Sequence, residues 1–392
     1  MTIPRTIQPV LSRLAKAYPV VTVTGPRQAG KTTLCRSTFP DLPYVNLEAP
    51  DVREALASDP RSFLRRHPDG AILDEVQRVP ELLSYIQGVV DEPRNRARFV
   101  VTGSQHFGLT EAVSQSLAGR TAVLSLLPFS IEEVRQLVPN ASARDLLHTG
   151  FYPRIHDRGL DPSEALGSYL ATYVERDVRQ ITEIRNLAEF QRFLRLCAGR
   201  TGQLLNLQGV GADAGVSQPT ARAWINLLEA SYIAFRLPPF FANISKRLTK
   251  APKLYFCDVG LAAYLLGIES SHQLDTHPLR GALFENLVVV EALKHRFNQG
   301  RASNLFFYRE HRGYEIDLVY SIADRLGAIE IKSGETLNAD FLGSFRHARA
   351  ALGDRIVSEI LVYGGDWTGT YQGVRVTDAA ELSAHLAQLD EG

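Results

Sequence analysis

Cysteine is scarce in this chain: of 392 residues only Cys35, Cys197 and Cys257 carry a thiol, and they stand too far apart for a disulfide framework or a metal site. Such thiol usage fits a reducing cytoplasm. Long apolar runs are lacking as well. No stretch approaches the roughly 20 residues that a helix needs to span a bilayer, and the amphipathic start "MTIPRTIQPVLSRLAKAYP" has no long apolar core, so no membrane partner is expected. Neither charge sign is in excess, with 43 Lys and Arg against 43 Asp and Glu. Any surface for nucleic acid is therefore a local patch. The remaining composition, 45% hydrophobic and 22% charged, describes an ordinary globular chain long enough for several domains.

Against this plain background "VVTVTGPRQAGKTTL", residues 20–34, stands out. A β-branched run breaks at Gly25, reaches Gly30 and continues through Lys31 and Thr32 into a helical pattern. A buried strand that turns through glycines into a helix start aims backbone NH groups at one point, where the helix dipole adds positive potential. The spacing G-x-x-x-x-G-K-[ST] thus predicts a phosphate cradle built from Gly25, Pro26, Arg27, Gln28, Ala29, Gly30 and Thr33, with Lys31 reaching the β and γ phosphates and Thr32 ligating Mg²⁺. In "GAILDEVQRVPEL" an apolar strand ends in Asp74 and Glu75. Asp74 is expected to hold Mg²⁺, and Glu75 to orient the attacking water. The run "RFVVTGSQ" offers Ser104 or Gln105 to sense the γ phosphate, and Arg120 is a candidate to stabilise that phosphate in cis or from a neighbouring subunit, the alternative being a surface arginine.

Strand and helix patterns alternate up to about residue 145 and predict a parallel sheet with helices on both faces. Apolar residues at helical spacing then predict helices over roughly residues 160–200, with Arg154 and Arg176 as candidates to reach nucleotide or to sit in salt bridges. Around "GVGADAGVSQPTARAWINLLEASYIAF" the pattern is helix, turn at Gly215, helix, strand: helix-turn-helix grammar with a following wing. Gln218, Thr220, Arg222 and Asn226 are the candidates for a DNA groove, and Lys246, Arg247, Lys250 and Lys253 for phosphates. Protein docking is the other use of such a module.

Farther on, Glu285 lies on an apolar-striped helix, Asp317 near the end of a strand pair, and Glu330 and Lys332 on the next strand. The side-chain period of two puts Glu330 and Lys332 on one face. Glu285, Asp317 and Glu330 are thereby expected to bind Mg²⁺ or Mn²⁺, with Lys332 stabilising charge at a phosphodiester.

The stretches "TGPRQAGKTTL", "ILDEVQ" and "VVTGS", with "RLTKAPKLYFCDVGLAAYL" and "GALFENLVVVEAL", give the chain a resemblance over nearly its whole length. It resembles the bacterial and archaeal family of AAA-type ATPases whose P-loop domain is joined to an uncharacterised C-terminal region. The last of these stretches, with "YEIDLVY" and "AIEIKSG", also resembles the PD-(D/E)xK nuclease superfamily, and Glu285, Asp317, Glu330 and Lys332 all match its pattern. The resemblance implies ATP binding and hydrolysis. The expected fold is mixed α/β: a P-loop ATPase domain (1–148), a helical segment (149–200), a winged-helix-like domain (201–274) and a restriction-endonuclease-like domain (275–392). The expected function is a Mg²⁺-dependent ATPase, forming a homo-oligomer that can be a ring, which binds DNA, branched or single-stranded forms included, and cuts or remodels it. A nucleotide-gated switch or scaffold is the alternative.

Overall fold

Five β-branched residues in a row form β1 (Val20–Thr24), and all five are buried. Branching at Cβ favours the extended chain, and burial on both faces is what the interior of a parallel sheet requires. The structure, a computed structural model, describes residues 3–93, 96–104, 115–173, 186–241, 251–310 and 313–391. These form two compact units.

The first unit comprises Met1–Phe129 with the short pieces Ala230–Tyr232 and Phe297–Ala302. Around β1 stand β2 (Tyr44–Asn46), β3 (Gly70–Asp74), β4 (Arg98–Gly103) and β5 (Thr121–Ser125), in the order β2-β3-β4-β1-β5 with every pairing parallel. Alternation sorts the side chains. Val21 and Val23 pack with Leu11 of α1 (Gln8–Ala17) and with Leu34 and Cys35 of α2 (Lys31–Thr38). Val20 instead joins Leu56 of α3 (Pro50–Ser58), Leu64 of α4 (Pro60–Arg66) and Ile86 of α5 (Leu82–Val90). Because all strands run one way, Gly25, Asp74 and Ser104 emerge at the same edge of the sheet, where α/β proteins hold their ligands.

The second unit comprises Ser130–Glu229, Ile233–Arg296 and Ser303–Gly392. It opens with helices that include α6 (Pro153–Arg158), α7 (Pro162–Tyr173) and α8 (Leu187–Ala198). The expected helix pair follows as α9 (Leu207–Ala214) and α10 (Gln218–Ala230). Gly215, at φ 82°, makes the turn between them, and a Cβ on Gly211 would lie 3.0 Å from the Val216 carbonyl oxygen. Trp224 of α10 anchors the pair edge-on against Phe190 and Phe193 of α8. An antiparallel pair, β6 (Ala234–Leu237) and β7 (Lys253–Phe256), follows.

After α11 (Arg280–Asn298), three consecutive antiparallel strands, β8 (Leu305–Arg309), β9 (Glu315–Ile322) and β10 (Arg325–Lys332), build one side of a six-stranded sheet. Helix α12 (Gly343–Leu352) packs Phe345 and Ala348 against Leu326 and Ala328, and β11 (Ile356–Tyr363) then pairs parallel to β10. Two short strands, β12 (Gly369–Tyr371) and β13 (Val374–Thr377), complete the order β12-β13-β11-β10-β9-β8. Among the described residues no helix is long and apolar enough to cross a membrane.

Candidate functional site

The loop between β1 and α2 depends on glycine. Gly25 has φ 150°, and a Cβ there would lie 2.0 Å from the Leu126 carbonyl oxygen; Gly30, at φ 90°, caps α2 in the left-handed conformation. Between them Pro26 and Ala29 are buried, Arg27 is half-buried and Gln28 is exposed, as is Thr33 in the first turn of α2. The Lys31 ammonium donates to the carbonyls of Gly25 at 2.9 Å and Pro26 at 2.8 Å, inside its own loop. Burial lowers its pKa, with Glu75 and Asp74 opposing. The Arg5 guanidinium donates to the Ala29 carbonyl at 2.7 Å and the Leu127 carbonyl at 2.8 Å, tying the loop to the chain that leaves β5. Nothing local in the sequence marks Arg5, 24 positions from its acceptor.

Asp74 collects hydroxyls. Its Oδ2 accepts from Thr32 at 2.9 Å and Tyr44 at 2.7 Å, and its Oδ1 accepts from Thr102. Thr32 and Asp74 thus present adjacent oxygens beside the lysine, an arrangement that suits Mg²⁺ with a triphosphate on the loop. Burial, followed by the Asp74 hydrogen bond, raises the Tyr44 pKa. Burial also pushes the Cys35 thiol up to about 12, so that sulfur stays protonated. Glu75 follows the strand in the left-handed conformation, φ 60° and ψ 47°, and its Oε2 accepts from the buried Ser104 hydroxyl at 3.0 Å. Gln105 lies outside the described residues. At the rear of the same edge Tyr232 donates or accepts at Thr24 Oγ1, 2.7 Å away, and at Ser125 Oγ, 3.2 Å away.

Of the roles open to Arg120, the one on its own chain's loop is disfavoured by its place in the sheet. It precedes β5 at the sheet edge opposite the loop, its carbonyl accepting from Val20 at the start of β1, and its guanidinium grips Asp91 at 2.6 and 2.9 Å. Five residues of strand, about 16 Å, separate that end from Gly25, so Arg120 does not serve the loop of its own chain.

In the second unit Lys332 joins two of the expected carboxylates: its Nζ lies 2.5 Å from Glu330 Oε1 and 3.5 Å from Asp317 Oδ2. The Ile331 N–H donates to Asp317 Oδ2 at 2.9 Å, which locks β9 to β10 at this point. Glu330 Oε2 is buried, and the Ser344 hydroxyl is the group that favours its charged form besides Lys332. Burial, with the Asp317 charge adding and Lys332 opposing, pushes the Glu330 carboxyl up to about 8. Burial alone would lower Lys332; Asp317 and Glu330 carry it above its ordinary value.

Glu285 is engaged elsewhere. Its Oε1 accepts from Lys253 at 2.9 Å and from the Tyr255 hydroxyl at 2.5 Å, and Lys253 also pairs with Glu315. Burial and the Asp317 charge still raise the Glu285 pKa, with Lys253 and Tyr255 opposing. Among the described residues no three His, Cys, Asp or Glu side chains gather as a metal site; the Asp317 charge acts on both Glu285 and Glu330, with Lys253 and Lys332 set among the three carboxyls. Two lysines hold the cluster's charge instead. Lys253 itself, expected on a phosphate, is 4% exposed and committed to carboxylates. Its companions Lys246, Arg247 and Lys250 lie outside the described residues, as does Arg176, while Arg154 is exposed. On α10, Gln218 and Arg222 are exposed, Thr220 is 2.9 Å from the Ser217 hydroxyl, and Asn226 accepts from Arg236 at 3.3 Å.

Residues 17–135 match the family model described as an AAA domain, in accord with the strand and loop that lead into Lys31 and Thr32 at the start of α2, and the chain is of the AAA-type P-loop ATPase class. Residues 140–272 and 280–382 match two domains of unknown function, DUF8612 and DUF4143. The chain belongs to the family of the uncharacterized proteins Rv2008c of Mycobacterium tuberculosis and Mb2031c of Mycobacterium bovis, each 32% identical over 359 residues that cover 91% of this chain and 79% of the relative. Among solved structures, the Walker-type ATPase PABY2304 of Pyrococcus abyssi is similar at a TM-score of 0.44 and 14% identity, covering 66% of this chain and 94% of that one. The STAND protein PH0952 of Pyrococcus horikoshii is similar at 0.25 and 12%, covering 77% and 49%.

Proposed function

We propose that the chain is a Mg²⁺-dependent ATPase whose second unit binds DNA and cleaves its phosphodiester backbone. In the first unit Lys31 and the loop amides bind the triphosphate, Thr32 and Asp74 hold Mg²⁺, Ser104 faces the γ phosphate, and Glu75 orients the attacking water. In the second, the exposed face of α10 with Gln218 and Arg222 meets the duplex.

The nuclease reading is carried by one observation: Lys332 spans Asp317 and the buried Glu330 on neighbouring strands. Two carboxyl groups held this close, one of them buried, are offset by a single lysine, and a divalent cation would offset the rest. Mg²⁺ is commonly held by one or two carboxylates together with substrate phosphate, so Asp317 and Glu330 suffice without Glu285. Bound there, Mg²⁺ or Mn²⁺ would neutralise the scissile phosphate and make water more acidic. Lys332 adds fixed positive charge where the transition state gathers negative charge.

Full-length protein incubated with duplex, single-stranded and branched DNA, with either metal and with or without ATP, tests this reading. Asp317→Ala and Lys332→Ala are each expected to lose cutting and keep ATP turnover. Lys31→Ala is expected to lose ATP binding, and Glu75→Gln to bind ATP while its turnover falls by about 10²–10⁴-fold. If wild type cuts none of these DNAs, the nuclease reading falls. The Lys253 pairing with Glu285 and Glu315, which fills that half of the cluster with an internal cation, then favours the switch or scaffold.

A further inference from the structure

We propose that Gln77 is a positioning residue for ATP hydrolysis, fixing the Glu75 carboxylate through its side-chain amide; this rests on the assignment of Glu75 as the group that orients the attacking water. The local chain is built around that contact. Immediately after β3 the backbone enters the left-handed region at Glu75, a conformation that non-glycine residues seldom adopt. A tight 3₁₀ turn, Val76–Arg78, follows, closed by the Arg78 N–H on the Glu75 carbonyl at 3.0 Å. Val76 is fully buried in the core beneath the turn, and the Glu75 N–H donates to Thr102 Oγ1 at 3.3 Å. Strand end, core and β4 together hold the kink.

The kink turns the Gln77 side chain back on Glu75. Gln77 Nε2 donates to Glu75 Oε2, the oxygen that also receives the Ser104 hydroxyl at 3.0 Å, and Nε2 lies 3.4 Å from Ser104 Oγ as well. Both donors fall on one oxygen, so the rotamer is fixed from one side and Oε1 is left to a water. The amide pays for this orientation: Gln77 Oε1 is buried without a hydrogen-bond partner. Turning the amide over would set its oxygen against a carboxylate oxygen, so the NH₂ must face Glu75. A glutamine that merely filled space would have no reason to bury its acceptor while its donor faces Glu75. Gln77 contacts neither Lys31 nor the Thr32–Asp74 pair in these hydrogen bonds, so its effect belongs to turnover and not to nucleotide affinity.

The test is single-turnover and steady-state ATP hydrolysis by the full chain. Gln77→Ala is expected to lower kcat by about tenfold or more, as a fraction of what a general base contributes, with KM for ATP within about twofold of wild type where binding equilibrates before chemistry. Gln77→Glu keeps the side chain's size and removes the donor, so it is expected to fall at least as far, and it preserves the test if alanine loosens the turn. In the Glu75→Gln background Gln77→Ala is expected to change turnover little, because residues acting as a unit are not additive. Wild-type kcat in Gln77→Ala beside a disabled Glu75→Gln overturns the positioning role alone, as does a further full drop in the double variant. Wild-type turnover in Glu75→Gln overturns the Glu75 assignment and the inference with it.

Discussion

A side chain's value here is set by what surrounds it, and His156 ties that to pH. On α6 its Nε2 donates to the Gly150 carbonyl at 2.8 Å, which fixes the neutral tautomer. Burial lowers its pKa from the ordinary 6.5, the Gly150 carbonyl opposing and Lys294 adding to the fall. The unfolded chain therefore binds the proton more readily, so the stability His156 contributes is present above about pH 6.5 and lost as the pH falls from there through the folded value. His156→Gln keeps a donor for Gly150 and cannot titrate. Between pH 7.5 and 5.5 its melting temperature is expected to drop less than that of wild type, and parallel slopes in thermal melts would remove His156 from the account. Residues bound to backbone geometry were legible in the sequence: Gly25, Gly30, Lys31 and Thr32 stand at a spacing that only a strand-loop-helix turn explains, and Asp74 and Glu75 end an apolar strand. Arg5, Tyr44 and Gln77 were not, because their acceptors at Ala29 and Asp74 are 24 and 30 positions away, or because a kinked turn was needed to reverse the side chain. Lys253 was misread for a related reason: a lysine in a basic run looks solvated until the fold brings Glu285 and Glu315 around it.

Elements were more legible than their partners. Continuous apolar or β-branched runs suffice to find β1 and β3, which are buried on both faces, and a period of 3.6 the helix pair α9–α10, which buries one. Which strand neighbours which is a long-range matter, and so is the seating of Tyr232. That residue follows α10 in the left-handed conformation, φ 57°, yet its ring is buried in the first unit with the hydroxyl between Thr24 of β1 and Ser125 of β5. The hydroxyl closes the gap between neighbouring strands one residue before Gly25. Tyr232→Phe leaves the ring and removes the hydrogen bonds, so chemical denaturation is expected to show a loss of about 1 kcal/mol. Because Thr24 and Ser125 remain 2.7 and 3.2 Å from the vacated position, the loss should be shared by Thr24→Val, and the double variant should cost less than the sum. Additive losses would mean that the Tyr232 hydroxyl and Thr24 contribute independently, and no loss in Tyr232→Phe that the residue acts through ring packing alone.

At the scale of the whole molecule the question is whether one chain suffices. Arg120 stands at the start of β5, an edge strand of its sheet, with its guanidinium exposed on Asp91 and far from its own loop. The Asp91 hydrogen bond raises the Arg120 pKa and lowers that of Asp91, yet both groups face water, so the pair contributes little to stability and can yield to a stronger anion. A triphosphate presented by a second copy is such an anion, and an arginine supplied in trans can raise phosphoryl transfer by orders of magnitude. The two parts can then be separated onto different chains. Arg120→Ala keeps a working loop and lacks the arginine; Lys31→Ala keeps the arginine and lacks a working loop. Each alone is expected to hydrolyse ATP poorly, and an equimolar mixture is expected to recover up to about a quarter of wild-type turnover if copies pair at random in a dimer. Light scattering with ATP and the Glu75→Gln variant should find the corresponding assembly, favoured by nucleotide because ligand that bridges copies stabilises their association. A mixture no more active than its components, or a strict monomer at full turnover, would return Arg120 to the role of a surface arginine paired with Asp91.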